Sequence, residues 1–301
     1  MMTILRVDHL TKDYKKGRGV FDISFEIKQG EVFGFLGPNG AGKTTTIRHL
    51  LGFSKPQKGS TSVFGLDAWK HPKIIQNKMG YLPGEISFPD EMTGIEFIKY
   101  IAALRGMKDF TKAEELMKRF QLDPSGKLKK MSKGMKQKTA IVCAFMHDPE
   151  LLILDEPTSG LDPLMQQIFI ELIREEKSKG KTILMSSHLF EEVEGTCDRI
   201  AIIKEGKIVT VIDPLTIRHN KNKRYKIEFI ASADYASFIE ESFGMLDQRE
   251  NLRQVVVEIE DACINDLIEA LHLRPIKFIS EIKVTLEETF MNYYKEEIHH
   301  D

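Results

Sequence analysis

The sequence predicts an α/β protein: a largely parallel sheet, a helical segment inserted into it, and a small second α/β domain near the C-terminal end. Three observations carry this. Apolar strands alternate with helical stretches over the first two thirds of the chain, and one strand runs through a glycine loop straight into a helix. A long middle segment has apolar residues at helical spacing. A polar basic stretch, residues 217–225 (IRHNKNKRY), separates this pattern from a different rhythm.

Taken in order, ILRVDHL, FDISFEI and EVFGFLG read as short strands within the first forty residues. The third continues into PNGAGKTT and then into TIRHLLGF, which has helical composition. From about Thr93 to Ala144 the segments GIEFIKYIAALRG and KAEELMKRFQL show 3–4 spacing, which predicts a helical subdomain inserted into the sheet domain. Leu151 to Leu154 forms a second apolar strand, KTILMSS a third, and AIIKEGKIVTVI a strand pair turning at Glu205-Gly206. The expected domains are 1–216, with the helical subdomain at about 93–144, then a linker at 217–224 and an accessory domain at 225–301. In the last, YKIEFIA, QVVVEIE and IKFISEIKV read as strands; YASFIEESF, INDLIEALHL and LEETFMNYYKEE read as helices.

Composition narrows the function. Across 301 residues, 42% are hydrophobic and 29% charged, an ordinary globular balance. The net charge of −2 gives no basic field for nucleic acid, so no nucleic-acid partner is expected. Cys143, Cys197 and Cys263 lie far apart and make no metal-ligand spacing, which suits a reducing cytosol. The start, MMTILRVDHLTKDY, lacks a signal-peptide apolar region. No apolar run approaches the roughly 20 residues that span a bilayer, so any membrane role runs through a partner. KKMSKGMKQK (Lys129 to Lys138) holds five lysines in ten residues; the lysines at 129, 130, 136 and 138 read mainly as a solvated face.

GPNGAGKT (Gly37, Pro38, Asn39, Gly40, Ala41, Gly42, Lys43, Thr44) matches G-x-x-x-x-G-K-[ST] without a gap. Glycines let backbone N–H groups curl around phosphate oxygens, Lys43 brings positive charge to the β/γ-phosphates, and Thr44 offers a hydroxyl to Mg²⁺. Thr45 follows at the start of the helix, whose positive end points at the same anion. LLILDEP supplies acids at the carboxyl end of a buried strand: Asp155 for the Mg²⁺ shell, and Glu156 to orient or deprotonate the attacking water. His188 ends another buried strand, where contact with the γ-phosphate is expected.

These residues together resemble the nucleotide-binding subunit of ATP-binding cassette (ABC) transporters over about residues 3–212. The specific mark is the ordered set: the P-loop, then MSKGM, then LLILDEPTSGLD, then SSH. The resemblance implies a P-loop NTPase core of the ABC ATPase type that binds ATP and Mg²⁺. It implies two copies closing over two ATPs, with separate membrane subunits turning hydrolysis into transport. The protein would sit in the cytoplasm, peripheral to the membrane. It also implies that Ser132, Lys133, Gly134 and Met135 form a signature loop facing ATP held by the partner copy, with Lys133 standing where a second glycine is commoner. Ser132 is suited to cap the following helix. Tyr14 looks like the aromatic that stacks on adenine, and Ser159, Gly160, Leu161 and Asp162 look like the loop coupling the two sites.

One position departs from that family. GYLPGE (Gly80 to Glu85) carries Gly84 where a glutamine usually touches Mg²⁺, and Glu85 is the nearest polar replacement. The C-terminal run LEETFMNYY resembles that of bacterial ABC-2-type export ATPases, which implies export. The competing readings are a soluble ABC ATPase acting on ribosomes or DNA, and a nucleotide-dependent regulatory module. Against the first, there is neither a second cassette nor a long coiled coil between the motifs; against the second, Lys43, Glu156 and His188 are all present.

Overall fold

The computed structural model describes residues 2–214, 216, 222–282, 285–288 and 290–291. The chain divides into two compact units, Met1–Asp213 and Pro214–Asp301. Among the described residues the first unit holds two sheets. One is antiparallel: β1 (Thr3–Asp13), β2 (Gly19–Lys28), β4 (Lys58–Val63) and β5 (Leu66–Asp67), in the order β2-β1-β4-β5. The other comprises β3 (Val32–Leu36), β6 (Met79–Leu82), β7 (Leu151–Asp155), β8 (Thr182–Ser187), β9 (Arg199–Lys204) and β10 (Lys207–Ile212), in the order β10-β9-β3-β8-β7-β6. All its pairings are parallel except β9 with β10 at one edge.

The burial patterns explain the division. Every residue of β3, β7 and β8 is buried, as expected of strands covered on both faces. From Val20 to Lys28, β2 largely alternates buried with more exposed residues, the pattern of a sheet with one face on the core. β1 and β2 therefore stand apart from the parallel sheet, although the sequence shows them simply as early strands. The β9–β10 turn uses Glu205 and Gly206, both at positive φ (48° and 77°), which matches the twist of a tight hairpin.

Helices α1 (Lys43–Leu50) and α2 (Pro72–Lys78) follow the glycine loop and β5. The inserted segment contains α3 (Gly94–Leu104), α4 (Thr111–Arg119) and α5 (Lys133–Phe145). Thr93 and Glu96 close a capping box on α3, satisfying two N-terminal N–H groups. Bidentate pairing of Arg119 with Glu175 (2.5 and 2.8 Å) ties α4 to α6 (Pro163–Ser178). The short α7 (Phe190–Glu194) follows β8.

In the second unit the sheet is antiparallel, in the order β12-β13-β11-β14: β11 (Asn222–Phe229), β12 (Gly244–Arg249), β13 (Gln254–Glu260) and β14 (Ile276–Ile282). The helices α8 (Ser232–Ile239) and α9 (Ile264–His272) contribute Tyr235, Phe238 and Leu267 to a core with Ile227, Phe229, Val255, Val257 and Ile259. Four strands replace the three read from sequence. The extra one, β12 (GMLDQR), is a mostly polar edge strand and carries no apolar alternation to reveal it. β11 begins at Asn222, inside the stretch expected to be linker; residues 217–221 lie outside the described residues, as does most of the final expected helix.

Candidate functional site

The glycine loop leaves β3 at its carboxyl end. A Cβ on Gly37 would fall 2.3 Å from the Ile203 carbonyl oxygen, so only glycine fits beside β9. Gly40 and Gly42 adopt φ of 83° and 109°. Gly42 is the N-cap of α1 and has no side chain to take the helix's first N–H groups, which are left for a ligand. The loop is braced from behind: Gly206 N–H donates to the Ala41 carbonyl (2.9 Å). Pro38, Asn39 and Gly40 are exposed, while Ala41 is buried; Thr44 is exposed and Thr45 half-buried.

Lys43 is only 5% exposed. Its ammonium donates to the carbonyls of Gly37 (2.6 Å) and Pro38 (3.3 Å) and lies 3.0 Å from Glu156 Oε1. The other oxygen of Glu156 is 2.5 Å from His188 Nδ1. Glu156 sits at φ 50°, a left-handed conformation costly for a side chain with a Cβ, held by its N–H donating to the Ser186 carbonyl and hydroxyl, each at 3.1 Å. The turn aims the carboxylate at the loop. Asp155 is buried; Thr44 Oγ1 donates to its Oδ2 at 2.7 Å and the Ser186 hydroxyl to its Oδ1. Thr44, Lys43, Asp155, Glu156 and His188 thus converge at the carboxyl ends of β3, β7 and β8, the expected place for a ligand crevice.

The MSKGM loop makes a second cluster. Ser132 is the N-cap of α5, its hydroxyl accepting from Met135 N–H at 3.2 Å. Lys133 Nζ donates to Ser159 Oγ at 2.8 Å, and its stem covers Gly160. A Cβ on Gly134 would sit 2.8 Å from the Gly160 carbonyl oxygen. Leu161 is buried and Asp162 caps α6 through Met165 N–H at 3.0 Å. Among the described residues, no hydrogen bond or ion pair joins 132–135 to the loop 37–45 of the same chain.

Tyr14 lies between β1 and β2, 48% exposed, with Lys12 Nζ 5.7 Å from its ring centroid. It is not drawn into the Lys43–Glu156–His188 cluster by any direct bond; its backbone N–H donates to the Arg18 carbonyl. Gly84, not Glu85, lies against the acids: a Cβ there would be 3.2 Å from Asp155 Oδ2. Glu85 is exposed. The neighbouring Tyr81 hydroxyl is pushed up to about 12, first by burial and then by the Asp155 charge.

Several contributors escape motif reading. Gln137 is buried and donates to the Pro157 carbonyl at 2.6 Å, linking α5 to the turn that carries Glu156. Ser186 orients both acids. The only signal for either is a polar residue at a position where its neighbours are apolar, too common to single out alone.

A glycine loop opening a helix with a buried lysine, facing two acids at the end of a central strand, defines a nucleoside-triphosphate hydrolase. The family model for the ABC transporter matches residues 20–159. The ABC transporter ATP-binding protein YhaQ of Bacillus subtilis (strain 168) is 36% identical over 273 residues, covering 89% of this chain and 90% of that protein. The bacitracin transport ATP-binding protein BcrA of Bacillus licheniformis is 39% identical over 232 residues, 76% of this chain and 75% of that one. A solved ATP-binding subunit of an ABC transporter superposes with TM-score 0.65 at 34% identity, covering 72% of this chain and 92% of that chain. The chain belongs to the ABC transporter ATP-binding proteins. It is an ATPase whose hydrolysis energises transport, and the soluble and regulatory readings are not favoured. Among the described residues no helix is long and apolar enough to cross a membrane.

Proposed function

We propose that this chain is the energising subunit of an exporter. It works as an ATP-dependent homodimer against separate membrane subunits, from the cytoplasmic face of the membrane. The observation that carries the reading is the Glu156 carboxylate held between Lys43 (3.0 Å) and His188 (2.5 Å) at the mouth of the glycine loop. Transport is supported by the likeness to BcrA, a protein named for bacitracin transport, and export by the resemblance of LEETFMNYY to the tail of bacterial ABC-2-type export ATPases.

The loop N–H groups of Asn39, Gly40 and Gly42 to Thr45 and the Lys43 ammonium take the phosphates of ATP, and Tyr14 stacks on the adenine. Thr44 Oγ1 and Asp155 Oδ2, 2.7 Å apart, are hard oxygen donors of the kind Mg²⁺ accepts beside phosphates and water. Thr44 and Asp155 would hold Mg²⁺, which would supply positive charge against the phosphates. Gly84 lies against Asp155 without a side chain, and exposed Glu85, one residue on, would be the nearest polar group to replace the usual glutamine at the ion. Glu156 orients and deprotonates the attacking water, while His188 holds the γ-phosphate. Lys43 leaves Glu156 for the phosphates once ATP enters, which frees the base.

Ser132, Lys133, Gly134 and Met135 serve the ATP of a second copy. A capped helix N-terminus favours an anion, and this one is not bonded to its own loop. Ser159 to Asp162 carry the state of one site to the other. The test joins two measurements. The chain is isolated from native membranes and its bound proteins are identified; absence of any membrane subunit overturns the exporter reading. Glu156→Gln is then run with MgATP by size exclusion; a persistent monomer overturns the homodimer.

A further inference from the structure

Glu192, in α7, is 3% exposed, and its carboxyl lies behind the working pair. Ser187 Oγ donates to its Oε2 at 2.5 Å and accepts from Leu189 N–H at 2.9 Å, so Ser187 ties Glu192 to the backbone on either side of His188. The Thr158 hydroxyl, two residues after Glu156, faces the same carboxyl. Oε1 is buried and takes no hydrogen bond. A carboxyl this enclosed is costly unless something is gained from it. The position touches both arms that carry the reacting groups and neither of the residues assigned to Mg²⁺.

We propose that Glu192 is a positioning residue that sets the spacing of Glu156 and His188, by holding Ser187 behind one and facing Thr158 behind the other. This rests on the reading that Glu156 and His188 act on ATP. The carboxyl accepts from Ser187 through Oε2, and the Thr158 hydroxyl faces it from the other arm. Burial, with the Glu156 charge adding, pushes its pKa up to about 7. The strands packed on α7, β3 and β8, carry no titratable side chain. Cys197, just beyond the helix, is pushed up to about 12 by burial and stays neutral. Arg174 of α6 ends on the Gly195 carbonyl. Among the described residues Glu156 is the charge that raises it, and the titratable His188 on the next arm pairs with Glu156. Ionisation of Glu192 adds a like charge beside Glu156, so the neutral form is the working one.

The test measures steady-state ATP hydrolysis of the full-length chain from pH 6 to 8.5, for wild type, Glu192→Gln, Glu192→Ala and Glu156→Gln. Wild-type kcat is expected to step down as pH rises through about 7. Glu192→Gln keeps an acceptor and a donor without titrating, so it retains turnover and loses that step. Glu192→Ala lowers kcat about tenfold by releasing both arms, with KM for ATP unchanged because the loop is untouched. The proposal is overturned if the step persists in Glu192→Gln, or if Glu192→Ala turns over like wild type. If the alanine chain does not fold, the Glu192→Gln profile decides alone. Glu156→Gln separates the layers: if it turns over normally, the reading beneath the proposal fails; if it is dead while both Glu192 variants match wild type, only the positioning role fails.

Discussion

Lys43 Nζ lies 3.0 Å from Glu156 Oε1, so the loop lysine and the proposed base neutralise one another in a nearly dry site. Entering phosphates must displace that carboxylate. Glu156→Gln is therefore expected to bind MgATP several-fold more tightly while losing at least about a hundredfold in kcat. Calorimetry and a phosphate-release assay read the two separately. Turnover near wild type would remove Glu156 from the base role.

Lys43→Ala should weaken ATP binding by tenfold or more. A desolvated ammonium against a triphosphate is a strong charge-assisted contact, and its loss also leaves the half-buried Glu156 carboxylate facing the phosphates uncompensated. Unchanged affinity by calorimetry would count against the glycine loop as the phosphate site.

Ser132→Arg tests which chain the MSKGM loop serves. The monomer should bind ATP nearly as wild type, because the loop is not bonded to residues 37–45 of its own chain. Dimerisation and hydrolysis should be lost, and the missing cap should cost the helix about 1 kcal/mol. ATP affinity falling as far as in Lys43→Ala would mean that the loop belongs to its own chain's site.

Gly84→Ala puts a methyl group 3.2 Å from the Asp155 carboxylate. That carboxylate is held by Thr44 and Ser186 and has little freedom to retreat. The Mg²⁺ concentration for half-maximal hydrolysis should rise several-fold, with thermal stability nearly unchanged. An unaltered Mg²⁺ dependence would show that the ion does not use this side of Asp155.

His147 offers a stability test. Burial, with Arg105 adding, lowers its pKa to about 4 from 6.5. Its Nε2 lies 3.1 Å from the Met79 carbonyl. The unfolded chain binds the proton more readily, so stability is full above pH 6.5 and is lost as pH falls toward 4. The loss is about 2 kcal/mol after allowance for the partly exposed ring. Denaturant unfolding of His147→Gln should show a shallower slope over that window; an identical slope would remove His147 as the cause.

The phosphate loop and acid pair were legible because their chemistry demands fixed residues at fixed spacing: Gly37, Lys43, Thr44, Asp155 and Glu156 all meet at one crevice. The parallel strands were legible because burial on both faces leaves unbroken apolar runs such as LLIL. β12 was not, since an edge strand needs no such run. Lys133 on Ser159 and Gln137 on Pro157 were hidden because each joins residues twenty or more apart through one flexible side chain. Gly84 was legible only as a missing glutamine; its approach to Asp155 depends on how β6 and β7 stack side by side.

The Lys133–Ser159 bond has a consequence for how subunits meet. The ammonium donates to the hydroxyl of the neighbouring loop, and its methylenes lie across Gly160. On the proposed roles, both loops belong to the surface offered to a second copy, so pairing must first undo a contact each copy already makes with itself. A triphosphate can recruit the released ammonium; an empty site cannot. On the proposed roles the exchange sets a threshold on pairing without a triphosphate.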